Sequence, residues 1–169
     1  MSADYSRLAL VALGSNLGDS PALIGQAFQW LQALSESPLR KSSLWETAPV
    51  DCPPGSPPFV NAAAALFARP EETPESLLLE LQALEKEFGR QPKVVLNEPR
   101  PLDLDLIAFG NEVRNTPDLV LPHPRAHLRR FVLQPLSEVA PEFVLPGQSI
   151  TIERLLGMLP PDADMRRIG

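Results

Sequence analysis

Proline is the residue that most restricts how this chain can fold. The sequence of 169 residues contains 20 prolines, more than twice the usual share of about 5%. Proline fixes φ and lacks a backbone donor, so each one favours a loop or an element boundary. The prolines are spread along the chain, with one dense stretch at residues 49–58. They therefore punctuate a folded chain and do not form a low-complexity tract.

Composition and charge are those of one ordinary globular domain. Hydrophobic residues make up 44% of the chain and charged residues 21%, which excludes wholesale disorder and predicts a single domain over residues 1–169. One cysteine and two histidines exclude a disulfide framework and nearly exclude a Cys/His zinc site. The net charge of −6 disfavours nucleic-acid binding. No apolar run suits a signal peptide or a membrane span, so we expect a cytoplasmic protein.

Hydrophobic periodicity and turn residues predict strands that alternate with helices. The predicted strands cover residues 7–13, 39–46, 59–67 and 102–109. Gly110 and Asn111 predict a hairpin into a short strand near Val113. The predicted helices cover residues 20–35, 73–88, 131–139 and 152–159. Ser20 and Thr73, each followed by proline, are the predicted N-caps of the first two helices.

The order of these elements is strand, helix, strand, strand, helix, strand. This order is typical of a ferredoxin-like α+β fold, in which helices pack on one face of an antiparallel sheet. The C-terminal third then forms an added helical cap. Residues 50–58 and 90–99 have no apolar period, so we expect two long loops that flank the last strand of the sheet.

The sharpest local feature is a pair of aspartates in the predicted strand 102–109. Side chains at i and i+2 of a strand point to one face, so Asp103 and Asp105 stand side by side while the leucines around them face the core. Ionised carboxylates repel each other unless a cation lies between them, and oxygen ligands suit Mg²⁺. The same spacing also fits a solvated sheet face with two ordinary acids.

Cationic residues near this strand favour phosphate chemistry. Arg90 and Arg100 lie in the preceding loop, and Arg129 follows His123 further along the chain. Mg²⁺–nucleotide chemistry needs this combination, since arginines neutralise the charge on a transferring phosphate. The segment GSNLG at residues 14–18 is not a Walker loop, and a tight structural turn explains it better than a phosphate cradle does.

Other residues fit a site for a flat polar heterocycle. Asn61 lies inside an apolar strand, where a buried amide needs partners, so it either bridges two parts of the fold or binds a polar ring. Phe59 and Phe131 have aromatic faces to stack on such a ring, although both suit the core equally well. His123, between two prolines, has the chemistry to bond phosphate or to transfer a proton.

Three segments of the sequence together resemble one enzyme family. They are ALGSNLGD (residues 12–19), PRPLDLDLIAFGNEV (99–113) and LPHPRAHLRRFVLQPLSEVAP (121–141). Their order and spacing are similar to those of the 6-hydroxymethyl-7,8-dihydropterin pyrophosphokinases of folate biosynthesis, over about residues 8–159. The resemblance implies the ferredoxin-like fold. It also implies transfer of pyrophosphate from ATP to the hydroxymethyl group of the dihydropterin, with release of AMP.

The resemblance further implies roles for particular residues. Asp103 and Asp105 would hold two Mg²⁺ ions that bind with ATP, and they would be catalytic together with Arg90 and Arg100. The implied pterin pocket consists of Thr47, Pro49, Val50, Phe59, Asn61 and Phe131. The implied ATP contacts are Gln82, Glu85, Arg100, Leu106, His123 and Arg129.

The chain departs from the family pattern at a few positions. Asn97 stands where many members have tryptophan, and Pro92 replaces a basic residue. Phe59 stands where tyrosine is common, which keeps the stacking ring and removes a hydroxyl. The first two differences lie in the loop 90–99, which we expect to close over ATP, so they concern that closure rather than the reaction.

Two other functions fit the residues if the resemblance is set aside. One is a non-catalytic ferredoxin-like module that binds a metabolite. The other is a scaffold that uses the proline-rich segment 49–58 as its contact. With the resemblance, we expect ATP and the dihydropterin as ligands, no nucleic-acid or membrane partner, and a monomer or weak dimer.

Overall fold

The computed structural model describes residues 5–16, 19–48, 55, 57–88 and 102–169. The predicted loop 90–99 and most of the predicted loop 50–58 lie outside these residues. The strands are β1 (Leu8–Ser15), β2 (Arg40–Lys41), β3 (Trp45–Thr47), β4 (Phe59–Phe67), β5 (Asp103–Phe109), β6 (Arg114–Asn115), β7 (Val120–Leu121) and β8 (Arg166–Arg167). The α-helices are α1 (Ser20–Leu34), α2 (Pro74–Glu87), α3 (Arg130–Val139) and α4 (Ile152–Gly157).

The main sheet is antiparallel throughout its described pairings. Its strands lie in the order β5-β1-β4-β3-β8, and β2 pairs with β4 beside β3. A separate two-stranded sheet pairs β6 with β7. The prediction of an α+β chain with an antiparallel sheet and packed helices is confirmed. None of the helices in the described ranges is long and apolar enough to cross a membrane.

One face of the sheet packs against α1 and α2 and forms the first core. Alternate residues of β1 and β4 turn to this face, together with the leucines of β5. Thr73 caps α2 as predicted, since its side chain accepts from Ser76 N and the Ser76 hydroxyl accepts from Thr73 N. The helices contribute Ile24, Ala27, Leu31, Leu77, Leu81 and Leu84.

The opposite face packs against α3 and α4 and forms the second core. It takes the remaining alternate residues of β1 and β4, among them Leu8, Leu10, Ala63 and Ala65. The prediction that the helices α1 and α2 share one face of the sheet is therefore confirmed, and the predicted C-terminal helical cap covers the other face. The C-terminal third is a second helical layer, because α3 is strongly amphipathic and the sheet has an apolar stripe on both faces.

Some local predictions were wrong. Asp19, not Ser20, caps α1 by accepting from Ala22 N at 3.3 Å, while the buried Ser20 hydroxyl lies 2.9 Å from that of Ser15. The strand predicted near Val113 begins one residue later as β6, and it pairs with β7 instead of β5. The strand predicted over residues 39–46 is divided into β2 and β3. The short strand β8 was not predicted.

A β-bulge interrupts the pairing of β1 with β5. Leu10 pairs with Ala108, whereas the next residue, Val11, pairs with Leu106. Ile107 is thus the extra residue of β5. Before the bulge, Leu104 and Leu106 face the first core; after it, Phe109 also faces the first core.

Candidate active site

β5 places the two aspartates on one face of the sheet, as predicted. Leu104 lies in the first core, so the alternation of the strand turns Asp103 and Asp105 to the opposite face. Both aspartates are half-buried. Beyond Asp105 this face is covered by α3, and the two acids lie where the second core ends.

Glu85 fixes the edge of the strand that carries the aspartates. Its side chain is buried, and Oε2 accepts a hydrogen bond of 2.8 Å from the backbone N–H of Leu104. Within the described ranges, β5 is the last strand of the sheet on this side, so no described strand pairs with this donor. The carboxylate of α2 therefore holds Leu104 in register between Asp103 and Asp105.

Gly14 of β1 lies between the aspartates and Asn61. On one side it pairs with Asp103 in β5, and on the other side with Asn61 in β4. Neighbouring strands lie about 4.8 Å apart, so the backbones of Asp103 and Asn61 are separated by about 10 Å across Gly14. Gly14 and Ser15 belong to β1, so the tight turn predicted to begin at residue 14 does not begin there.

Asn61 is buried and its amide is fixed by β3. Nδ2 donates to Thr47 Oγ1 at 2.9 Å and to the carbonyl oxygen of Trp45 at 3.4 Å. Both hydrogens of the amide are therefore used within the protein. Its carbonyl oxygen is turned toward Gly14, since a Cβ at Gly14 would lie 3.8 Å from Oδ1. An acceptor of fixed orientation thus faces β1, the strand that lies between Asn61 and the aspartates.

The two predicted stacking residues come from different layers. Phe59 is half-buried, pairs with Thr47 and lies two residues before Asn61, so it shares the face of Asn61. Phe131 lies in the first turn of α3, which covers the same face of the sheet, and its exposed fraction is 39%. The guanidinium of Arg129 lies 5.6 Å from the centre of the Phe131 ring.

His123 lies close enough to Asp103, Arg125 and Arg129 for their charges to act on its ring. Its backbone N–H donates to Ile107 O at 2.8 Å, which holds it beside β5. Burial lowers the pKa of His123; Arg129 and Arg125 lower the pKa further, and Asp103 opposes them. Nδ1 accepts from the backbone N–H of Arg125 at 3.2 Å, so the neutral ring carries its proton on Nε2.

The other predicted ATP residues are spread over α2 and β5, and some lie outside the description. Gln82 is exposed on α2, and the side chain of Leu106 is buried in the first core. Four predicted site residues lie outside the described parts of the chain: Pro49, Val50, Arg90 and Arg100.

Glu138 connects α3 with the strand that carries Thr47, and it was not predicted. Its Oε2 accepts from Trp45 Nε1 at 2.7 Å, and its Oε1 accepts from the backbone N–H of Ser43 at 3.0 Å. Burial raises the pKa of Glu138, but the hydrogen bonds from Trp45 and Ser43 outweigh it and hold the pKa below its usual value. Its place in the segment LPHPRAHLRRFVLQPLSEVAP was the available signal.

No group of three or more His, Cys, Asp or Glu side chains suited to a metal occurs among the described residues. Among the described residues, Asp103 and Asp105 are the two carboxylates that share one face of β5. Mg²⁺ commonly binds proteins through one or two carboxylates and completes its shell with substrate phosphates and water. The aspartate pair therefore fits an ion that arrives with a phosphorylated ligand.

The fold and site define a mixed α/β domain. Its polar site lies on the sheet face that α3 covers, beyond the end of the second core. The family described as 7,8-dihydro-6-hydroxymethylpterin-pyrophosphokinase (HPPK) matches residues 10–141 of this chain. The chain belongs to this family.

Relatives agree with this membership. The chain is 38% identical over 146 residues to the 2-amino-4-hydroxy-6-hydroxymethyldihydropteridine pyrophosphokinase of Haemophilus influenzae, covering 86% of this chain and 89% of the relative. It is 40% identical over 137 residues to the Pseudomonas aeruginosa protein of the same name, covering 80% and 82%. It is also 37% identical to the folic acid synthesis protein fol1 of Pneumocystis carinii. That match covers 84% of this chain and 19% of the relative.

Solved structures share the fold. A crystal structure of Plasmodium falciparum HPPK-DHPS wild type with pteroate superposes with a TM-score of 0.67 at 14% identity, covering 89% of this chain and 42% of the other. A structure of HPPK-DHPS in complex with substrates gives a TM-score of 0.63 at 13% identity, again with 42% of that chain covered. This chain thus spans less than half the length of those structures.

Proposed function

We propose that this protein transfers pyrophosphate from ATP to the hydroxymethyl group of 6-hydroxymethyl-7,8-dihydropterin in folate biosynthesis. The hydroxyl oxygen forms a bond to the β-phosphorus of ATP and gives up its proton. The bond from that phosphorus to the bridging oxygen of the α-phosphate breaks, and AMP leaves. The observation that carries the proposal is the placement of Asp103 and Asn61 on either side of Gly14, on one sheet face.

The aspartate pair is the proposed metal end of the site. Asp103 and Asp105 would hold two Mg²⁺ ions that bind with ATP. When bound, these ions would neutralise charge on the phosphates and polarise the transferred group. The protein contributes two carboxylates in fixed positions, because Glu85 holds the strand between them at Leu104.

The other end of the proposed site binds the pterin. Asn61 Oδ1 is free of the two bonds that fix the amide, so it would accept from an N–H at the polar edge of the ring. Phe59 and Phe131 would stack on the two faces of the ring, one from the sheet and one from α3. The resemblance adds Pro49 and Val50 to this pocket.

Between the metal end and the pterin end of the site, Arg129 and the neutral ring of His123 would bind the triphosphate. Arg129 precedes α3 and lies close enough to His123 to lower its pKa. His123 would offer Nε2–H to a phosphate oxygen, because its Nδ1 already accepts from Arg125. From the resemblance, Arg90 and Arg100 would act on the transferred group, and Gln82, Glu85 and Leu106 would lie along ATP.

Broader properties are part of the same proposal. The strand order β5-β1-β4-β3, reached through α1 and α2, supports a ferredoxin-like core extended by α3, α4 and β8. We propose one domain over residues 1–169 that acts in the cytoplasm as a monomer or weak dimer. ATP and the dihydropterin would be its ligands.

Incubation of the purified protein with ATP, Mg²⁺ and 6-hydroxymethyl-7,8-dihydropterin tests the reaction. AMP and the pterin pyrophosphate should form in equal amounts. Omission of the pterin, or its replacement by the 6-methyl analogue that lacks the hydroxyl, should abolish AMP formation. Pterin binding with no AMP would identify a metabolite-binding module instead, and AMP release that is independent of pterin would contradict transfer.

A further inference from the structure

Gly14 is an unexpected residue for its place in the sheet. It lies within β1 and is paired on both sides, with β4 and with β5. Glycine weakens the interior of a strand, because it loses more backbone entropy on folding and has no side chain to pack. A glycine at such a position needs a reason.

The backbone does not supply that reason. Among the described glycines, positive φ occurs at Gly55, Gly110 and Gly147, and Gly14 is not one of them. Space within the described protein does not supply it either. The one described atom within 4 Å of a Cβ at Gly14 is Asn61 Oδ1, at 3.8 Å, which is an ordinary contact. The described fold would therefore accept alanine.

The surroundings of Gly14 supply a functional reason. Along this face of β1, side chains become smaller from the second core toward the site, in the order Leu10, Ala12, Gly14. Leu10 packs under α3, whereas Gly14 lies between the fixed Asn61 amide and Asp103. The surface of β1 between Asn61 and Asp103 therefore carries no side chain at Gly14.

We propose that Gly14 is a specificity-determining residue, whose missing side chain leaves room for the hydroxymethyl end of the pterin to reach the phosphates over β1. This inference rests on the proposed function. A substrate held at Asn61 and reacting at the aspartates must cross β1, and Gly14 is the residue of β1 that pairs with both Asn61 and Asp103. A methyl group on this face would stand in that path and lift the ring from the Asn61 carbonyl oxygen.

The test compares Gly14→Ala with a matched control, Gly25→Ala. Gly25 lies in α1, on the other side of the sheet, and no described atom lies within 4 Å of a Cβ there. For each protein we would measure the melting temperature, the Kd of a non-hydrolysable ATP analogue with Mg²⁺, and the Kd of the dihydropterin in the presence of that analogue. Both variants should melt at or above the wild-type temperature.

Gly14→Ala should raise the Kd of the pterin about tenfold, while the Kd of the ATP analogue changes less than twofold. Gly14→Val should raise the pterin Kd further, and Gly25→Ala should leave both values unchanged. A pterin Kd within threefold of wild type in Gly14→Ala would overturn the inference. So would equal weakening of both ligands, or a lower melting temperature, which would make the glycine structural. A wild-type protein that binds no pterin would overturn the proposed function first.

Discussion

The side-chain amide of Asn61 donates a hydrogen bond of 2.9 Å to Thr47 Oγ1 on the neighbouring strand. A second bond, to the carbonyl oxygen of Trp45, uses the other hydrogen of the same amide. The protein therefore sets the orientation of Asn61 before any ligand binds. A ligand donor then meets an acceptor that needs no reorientation.

Asn61→Ala should weaken pterin binding by about 1–3 kcal/mol, because it removes the proposed acceptor and leaves Thr47 without its donor. Binding of the ATP analogue should barely change, since Asn61 is separated from the aspartates by β1. Thr47→Val, which removes only the acceptor that orients the amide, should give a smaller loss. Calorimetry with each ligand measures both effects. Equal losses for the two ligands would contradict this division of the site.

Asp105→Ala should lower turnover by about 10²–10³-fold or more, because one of the two proposed metal ligands is lost. The protein should remain folded, since Asp105 is half-buried and belongs to neither core. Asp118→Ala is the matched control, because Asp118 is an exposed aspartate outside the site. AMP production and thermal unfolding would be measured for both variants. Near-normal AMP production by Asp105→Ala would refute the metal assignment.

The lowered pKa of His123 predicts a pH dependence of stability. The folded protein resists protonation of His123, so the unfolded chain binds the proton first as the pH falls. The stabilisation is therefore complete above the ordinary pKa of 6.5 and is lost as the pH decreases below it. In His123→Asn, the free energy of unfolding should decrease less steeply as the pH falls below 6.5 than it does in the wild-type protein. Denaturant titrations at several pH values measure it, with His127→Asn as the control for loss of an imidazole.

Two glycines with positive φ should differ in their tolerance of alanine. Gly110 has φ of 53°, and a Cβ there would lie 2.8 Å from the carbonyl carbon of Ser6. Gly147 has φ of 85°, with no described atom within 4 Å of its Cβ. Gly147→Ala should cost about 1 kcal/mol of stability, and Gly110→Ala about 3 kcal/mol or more, because a backbone overlap is added. Similar losses in urea unfolding would show that the Ser6 backbone moves aside easily.

The sequence predicted the elements whose signal is local. Strict alternation before Ile107 identified β5 and set Asp103 and Asp105 on one face. Proline after Thr73 correctly identified the start of α2. The same reasoning failed at α1, because Asp19 and Ser20 are adjacent residues that both make good caps, and only the fold engages Ser20 with Ser15.

The remaining features depend on contacts between distant parts of the chain. Glu138 and Trp45 are 93 residues apart, and no local pattern pairs them. β8 consists of two exposed arginines without an apolar period, and its pairing with Trp45 and Glu46 comes from backbone bonding at a sheet edge. The C-terminal helical cap was predicted, but not the face that it covers, because the apolar side of α3 does not identify which face of the sheet it packs against.

The bulge at Ile107 changes which side chains of β5 face the first core on either side of it. An unbroken two-residue period would bring Phe109 to the side of the aspartates, whereas the extra residue returns it to the first core. The part of β5 that carries the aspartates and the part that carries Phe109 therefore follow separate alternations of inward and outward side chains. The extra residue thus lets Phe109 pack in the first core while Asp103 and Asp105 keep the opposite side of the sheet.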